Sequence, residues 1–85
     1  MFFAYIIVSE VKGLRFYVGM SEHPESRLNE HNSGKTTSTK GYKPWQLFFT
    51  EQFATRVLAR EREKYWKSGI GKEKIKEKWQ RLLDK

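Results

Sequence analysis

Three features of the chain predict an α+β fold, with strands and helices in the order β-β-α-β-α-α. Two runs rich in β-branched and aromatic residues, Phe2 to Val8 and Arg15 to Gly19, are separated by a polar break that holds Lys12 and Gly13. A third such run begins after Pro44. Near the C-terminus, Ile75, Trp79, Leu82 and Leu83 recur at i, i+4, i+7 and i+8, which is the spacing of one apolar stripe on a helix.

Each element has its own local cause. The first two runs read as a β-hairpin. Pro24 suits the first turn of a helix, where its missing N–H is no loss, and Glu25 suits the positive end of the helix dipole; that helix should stop near Gly34. Residues 33 to 44, rich in Thr, Ser, Gly and Lys, read as a loop. Trp45 to Thr50 reads as the third strand, with Pro44 at its mouth because proline cannot donate to a ladder. Thr55 is a candidate N-cap for a second helix, with Val57, Leu58, Ala59, Tyr65 and Trp66 supplying apolar contacts before Ser68-Gly69-Ile70-Gly71 ends it. Three strands need helices over at least one face, and the helical stripes supply that cover.

A chain of 85 residues has room for one small domain, taken here as residues 1–85. It holds no cysteine, so its core must form without disulfides, as is usual in a reducing compartment. The apolar run from Phe2 to Val8 is far below the roughly 20 residues that span a bilayer. A cytoplasmic protein without membrane contact is expected. Seventeen Lys and Arg against ten Asp and Glu leave a net charge of +7, which favours a polyanionic partner. Eleven of the seventeen basic residues lie after residue 55, so the C-terminal third carries that surface. Charge alone is equally satisfied by a lysine-rich solvated helix face.

With no cysteine nucleophile, no glycine-rich phosphate loop and no dense His or carboxylate cage, the chemistry-bearing residues are Tyr, Arg, His and Glu. They suit phosphate binding, a hard cation, or acid–base work. Arg27 and His31 stand four apart, which places them on one face of the first helix.

These residues fall into an ordered pattern: Ala4-Tyr5-Ile6; Tyr17-Val18-Gly19; Arg27 and His31; His31-Asn32-Ser33-Gly34; Lys43-Pro44-Trp45; and Ala59 to Gly69 around Glu63. Each piece is weak, but the ordered set resembles the GIY-YIG nuclease superfamily. The likeness is to its small stand-alone bacterial members, related to the N-terminal nuclease domain of the excinuclease of DNA repair. The resemblance implies a three-stranded antiparallel sheet flanked by helices, and divalent-metal-dependent hydrolysis of phosphodiester bonds in DNA, in repair or recombination. By position, Tyr5 and Tyr17 match the family's two tyrosines, Arg27 its helix arginine, and His31 a site that holds histidine or tyrosine. Glu63 matches the glutamate that binds Mg²⁺ or Mn²⁺. Arg27 and His31 are then expected to face the scissile phosphate beside Tyr17.

Those roles make physical sense. Extra negative charge develops on the phosphoryl oxygens, and a fixed cation stabilises it more than it stabilises the ground state. Arg27 can bind such oxygens bidentately, as lysine cannot. One carboxylate suffices for Mg²⁺, which keeps several waters. For the general base, a free phenol ionises near pH 10 and a free imidazole near 6.5, so chemistry alone leaves His31 open. The resemblance points to Tyr17, with His31 as its partner or alternative. Lys35, Lys40 and Lys43 in the loop, together with Arg27 and Lys67, are the candidate contacts to DNA.

Taken singly, every one of these residues has a plainer use. The tyrosines suit a strand, Arg27 a helix surface, His31 a C-terminal dipole partner, and Glu63 an i,i+4 pair with Lys67. The chain also departs from the pattern. Phe3-Ala4-Tyr5 replaces Gly-Ile-Tyr, and Met20 stands where the repair nuclease carries a lysine. A nucleic-acid-binding module without turnover is the alternative reading. The tryptophans Trp45, Trp66 and Trp79 are expected in the core rather than stacked on bases. Without a second domain, selection of branched, single-stranded or damaged DNA would fall to backbone shape, a protein partner or a homodimer.

Overall fold

A computed structural model describes residues 1–84. Strands β1 (Phe2–Ser9), β2 (Arg15–Ser21) and β3 (Gln46–Phe53) and helices α1 (Pro24–Asn32), α2 (Arg56–Lys67) and α3 (Gly69–Leu83) follow the predicted order. The sheet is antiparallel throughout, with β1 between β2 and β3. The middle strand is buried along most of its length because helices cover both faces. Ala4, Ile6 and Val18 pack with Trp66 of α2 and Ile75 of α3 on one face. Tyr5, Ile7 and Trp45 pack with Tyr17 and Leu28 on the other, the face that α1 and the 33–44 segment cover. Alternation along β1 thus sends the Tyr5 phenol to one side of the sheet and Ala4 and Ile6 to the other.

One irregularity shapes the face that α2 and α3 cover. Ile6 pairs with Phe49 but Ile7 pairs with Leu47, so Phe48 is an extra residue in β3. The bulge turns Phe48 to the same side as Phe49. Phe48 meets Phe16 and Trp79, with ring centroids 5.9 and 5.4 Å away, while Phe49 meets Trp66 edge-on at 5.7 Å.

Several local expectations hold. Pro24 opens α1, Thr55 Oγ1 accepts from Leu58 N–H at 3.2 Å, and Ser33 caps the C-terminal end of α1. Others do not. Val57 is 67 % exposed and Leu58 is also exposed, because the buried stripe of α2 runs through Ala59 and Trp66 and Val57 lies on the opposite side of the helix. Leu82 and Leu83 are exposed as well; α3 packs mainly on α2, and its last turn lies beyond Trp79, which itself is only half-buried. Trp45 precedes the third strand instead of starting it, and the 33–44 loop holds a one-turn 3-10 helix at Lys40–Tyr42.

The second helix ends at Ser68 as the sequence predicts, and Gly69 and Gly71 already belong to α3. Ser68 ends α2 and begins α3, its hydroxyl accepting from Gly71 N–H at 3.1 Å and donating to Tyr65 O at 2.6 Å. A Cβ on Gly71 would collide with the Tyr65 carbonyl and the Trp66 backbone, neither of which can move without unseating Trp66 from the core. Gly71→Ala should therefore lower unfolding free energy by about 1–3 kcal/mol or more, read as a reduced midpoint in urea, whereas Gly69→Ala, where a Cβ meets nothing within 4 Å, should cost little.

Candidate active site

The site is assembled where β1, β2 and α1 meet. Tyr5 points from β1 toward α1 and pairs across the ladder with Gly19. A Cβ at Gly19 would stand 2.5 Å from Tyr5 Cζ and Oη, so the phenol lies directly over the glycine backbone. There Tyr5 Oη reaches His31 Nε2 at 3.0 Å. The other ring nitrogen of His31, Nδ1, lies 2.8 Å from Thr39 Oγ1. Tyr17 packs on the same imidazole, ring centroids 4.8 Å apart.

His31 is therefore not where the sequence led us to expect it. It is 0 % exposed and both its nitrogens are engaged; Tyr5, which bonds it, is buried too, and of the two tyrosines only Tyr17, packed on the ring, is part-exposed. The cause is the short helix α1, whose His31 face packs on the sheet while Arg27, one turn earlier, stays half-exposed. Arg27 forms an ion pair with Glu30 on the same helix.

Electrostatics follow the packing. Burial lifts the Tyr5 phenol above its usual pKa, the Arg27 guanidinium beside it pulls the other way, and Tyr17 and Glu63 add to the rise. Tyr5 keeps its proton at neutral pH. Burial pushes the His31 imidazole below its usual value, the Arg27 cation pushes it further, and Glu30 partly offsets both. Desolvation works against the Arg27 cation, but Glu30 and Tyr5 outweigh it, and the group is held charged.

Glu63 lies on α2 with its side chain 14 % exposed, and Lys67 Nζ donates to its Oε2 at 3.2 Å. The i,i+4 pair with Lys67 is thus present. Among the described residues no three His, Asp or Glu side chains converge as a metal cage, so any ion at Glu63 would take its remaining ligands from water and substrate. A single oxygen donor of this kind fits Mg²⁺ or Mn²⁺ and does not fit zinc.

Tyr17 also lines an open cleft of about 420 Å³ along β2, between the 33–44 loop and α3. Its walls include Tyr42, Trp45 and Ile75, and Arg15, Lys67, Lys72 and Lys76 stand around it. Arg15 stacks on Tyr42, 4.4 Å from the ring centroid. Lys35, Lys40 and Lys43 are exposed on the loop and do not join the tyrosine cluster.

Four residues that sequence reasoning did not place at the site support this arrangement. Asn32 brackets the backbone of Trp45, accepting from its N–H at 2.5 Å and donating to its carbonyl at 2.9 Å, which closes the 33–44 loop on itself. Trp45 Nε1 donates to Thr39 O at 2.9 Å, and so sets Thr39 beside His31. Glu51 accepts from Arg62 Nε at 2.8 Å and Trp66 Nε1 at 2.7 Å, fixing α2 against β3. The His31-Asn32 dipeptide was visible as a motif, but contacts 6 to 15 residues apart leave no local signal.

A model of the GIY-YIG catalytic domain matches residues 1–76. The chain belongs to that family, which is one of nucleases. It is similar to a UPF0213 protein of Enterococcus faecalis, 40% identical over 62 residues that make up 69% of this chain and 70% of the relative. A UPF0213 protein of Haloquadratum walsbyi is 37% identical over 65 residues, covering 75% of this chain and 73% of its own. No solved structure matches the chain.

The geometry makes two predictions. Gly19→Ala should push the Tyr5 phenol off His31 and lower stability by about 1–3 kcal/mol, with a changed tyrosine signal in near-ultraviolet circular dichroism. His31 has a lower pKa folded than unfolded, so its contribution to stability is complete above its unfolded value of about 6.5 and is lost as pH falls below it. The charged or titratable groups facing it are Arg27, Glu30, Tyr5 and Tyr17. Urea midpoints should fall between about pH 7 and pH 5.5, and His31→Gln should flatten that slope while lowering stability at pH 7.

Proposed function

We propose that the chain is a divalent-metal-dependent endonuclease that hydrolyses phosphodiester bonds in DNA, working in repair or recombination in the cytoplasm. The observation that carries this reading is the convergence of Tyr5 and Tyr17 on one buried imidazole, with the Arg27 cation acting on both Tyr5 and His31.

In this reading Arg27 holds the non-bridging phosphoryl oxygens, where charge builds up as water attacks. Its ion pair with Glu30 keeps the guanidinium aimed before substrate arrives. Tyr17 is the favoured base for the attacking water because it is part-exposed, whereas His31 is buried with both nitrogens occupied. Tyr5 remains a phenol and serves as a hydrogen-bond donor. Glu63 holds the cation, which supplies charge neutralisation at the phosphate and a more acidic bound water. Lys67 gives up its bond to Glu63 and turns to the DNA backbone. Arg15, Lys72 and Lys76 around the cleft, with Lys35, Lys40 and Lys43 on the loop, contact phosphates, so binding should weaken steeply with salt. These contacts suit branched, single-stranded or damaged DNA selected by backbone shape, with a protein partner or a second copy aiding the choice.

The test is nicking of supercoiled, branched and single-stranded DNA by wild type and Glu63→Ala, with Mg²⁺, Mn²⁺ or excess chelator. Wild type should nick in either metal and stop with chelator, and Glu63→Ala should lose about 10²-fold or more in rate while its circular dichroism is unchanged. Equal nicking by both proteins would overturn the metal assignment. DNA retained on the same gels without nicks would replace the enzyme with a binding module, the reading that Met20 favours.

A further inference from the structure

Thr39 is a buried threonine in the 33–44 loop, 1 % exposed, with its Oγ1 between two partners: His31 Nδ1 at 2.8 Å and the Thr36 carbonyl at 3.3 Å. A carbonyl can only accept, and a hydroxyl has one proton to give. If that proton goes to Thr36 O, the oxygen of Thr39 must accept from His31, and Nδ1 carries the hydrogen. A neutral imidazole has one N–H, so Nε2 is bare and Tyr5 Oη, 3.0 Å away, must donate to it.

The opposite end of this run of bonds gives the same direction independently. Arg27 lies beside the Tyr5 hydroxyl and is a donor with no acceptor site. A Tyr5 proton aimed at the guanidinium would meet another hydrogen, so it turns to His31. The reverse polarity would face Tyr5 with donors from both His31 and Arg27 and, among the described residues, leave the Tyr5 proton without an acceptor; the Thr36 carbonyl, which also accepts from the Thr39 and Lys40 amides at 3.1 and 3.0 Å, would keep two donors in either direction.

We propose that Thr39 is a positioning residue that holds His31 in the Nδ1–H tautomer and thereby fixes the Tyr5 hydroxyl as a donor to His31, with its lone pairs turned to Arg27. The direction of the bonds does not depend on the proposed activity; the effect on rate rests on the endonuclease reading above. Trp45 Nε1, donating to the Thr39 carbonyl, keeps the threonine from drifting out of reach. The loop that carries Lys35, Lys40 and Lys43 is thus connected through Thr39, His31 and Tyr5 to the guanidinium on α1.

The experiment uses the full chain labelled with ¹⁵N, reading the long-range proton–nitrogen spectrum of His31 at neutral pH, alongside nicking kinetics. Wild type and Thr39→Ser should show Nδ1 protonated and Nε2 bare. Thr39→Val should move toward the other tautomer or a mixture, with kcat lower by about tenfold or more and KM within about twofold, and Thr39→Ser should restore both. Nε2–H in wild type, or an unaltered His31 spectrum in Thr39→Val, would overturn the proposal. A changed tautomer with unchanged kcat would overturn the positioning role. Should Thr39→Val fail to fold, the wild-type and Thr39→Ser spectra decide the tautomer. If wild type proves inactive on DNA, the spectra still decide the bond direction, and it is the endonuclease reading that falls.

Discussion

A neutral imidazole buried between a sheet and a loop is the constraint on which the rest of this small protein turns. His31 has no contact with solvent, and a ring with two unsatisfied nitrogens there would cost several kcal/mol. The surrounding chain answers each nitrogen separately. Tyr5 approaches one from the sheet, which is possible because Gly19 leaves room for its ring. Thr39 approaches the other from the loop, which is possible because Asn32 and Trp45 pin that loop shut. Strand, helix and loop are thus held by one polar contact network on a face where aliphatic side chains are few.

The opposite face follows different rules. Ala4, Ile6, Val18, Trp66 and Ile75 bury area without direction, and the aromatic rings around them meet edge to face. Glu51 is the exception: it accepts from Arg62 and Trp66 and so orients α2. Arg62 also covers the Trp66 ring, 4.7 Å from its centroid, so charge pairing and packing act on the same helix. This matters for Glu63, the neighbour of Arg62. A helix fixed through one carboxylate presents the next at a settled angle.

Much of the architecture was legible because it rests on local chemistry. Pro24, Thr55 and the β-branched runs act within a few residues, and the structure has the elements they predict. The failures at Val57, Leu58, Leu82 and Leu83 share a cause: apolar residues at helical spacing show that a stripe exists, not how far along it a partner extends. The site was legible only in part. The family pattern pointed to Tyr5, Tyr17, Arg27 and His31, which do come together, but it could not reveal that the histidine stands behind the tyrosines. Burial of that kind depends on Thr39 and Trp45, ordinary residues whose meaning comes from contacts across the fold.

The extra residue in β3 has a consequence for how the sequence can change. Strict alternation would turn Phe48 toward the polar face; the bulge instead gives it to Trp79 and so provides a berth for the lysine-rich helix α3. Deleting one residue there would make a more regular sheet and a worse protein, since the ladder would gain a pair as the helix lost its mooring. A chain of this size can vary its loops by insertion, but at that strand its length is counted to the residue.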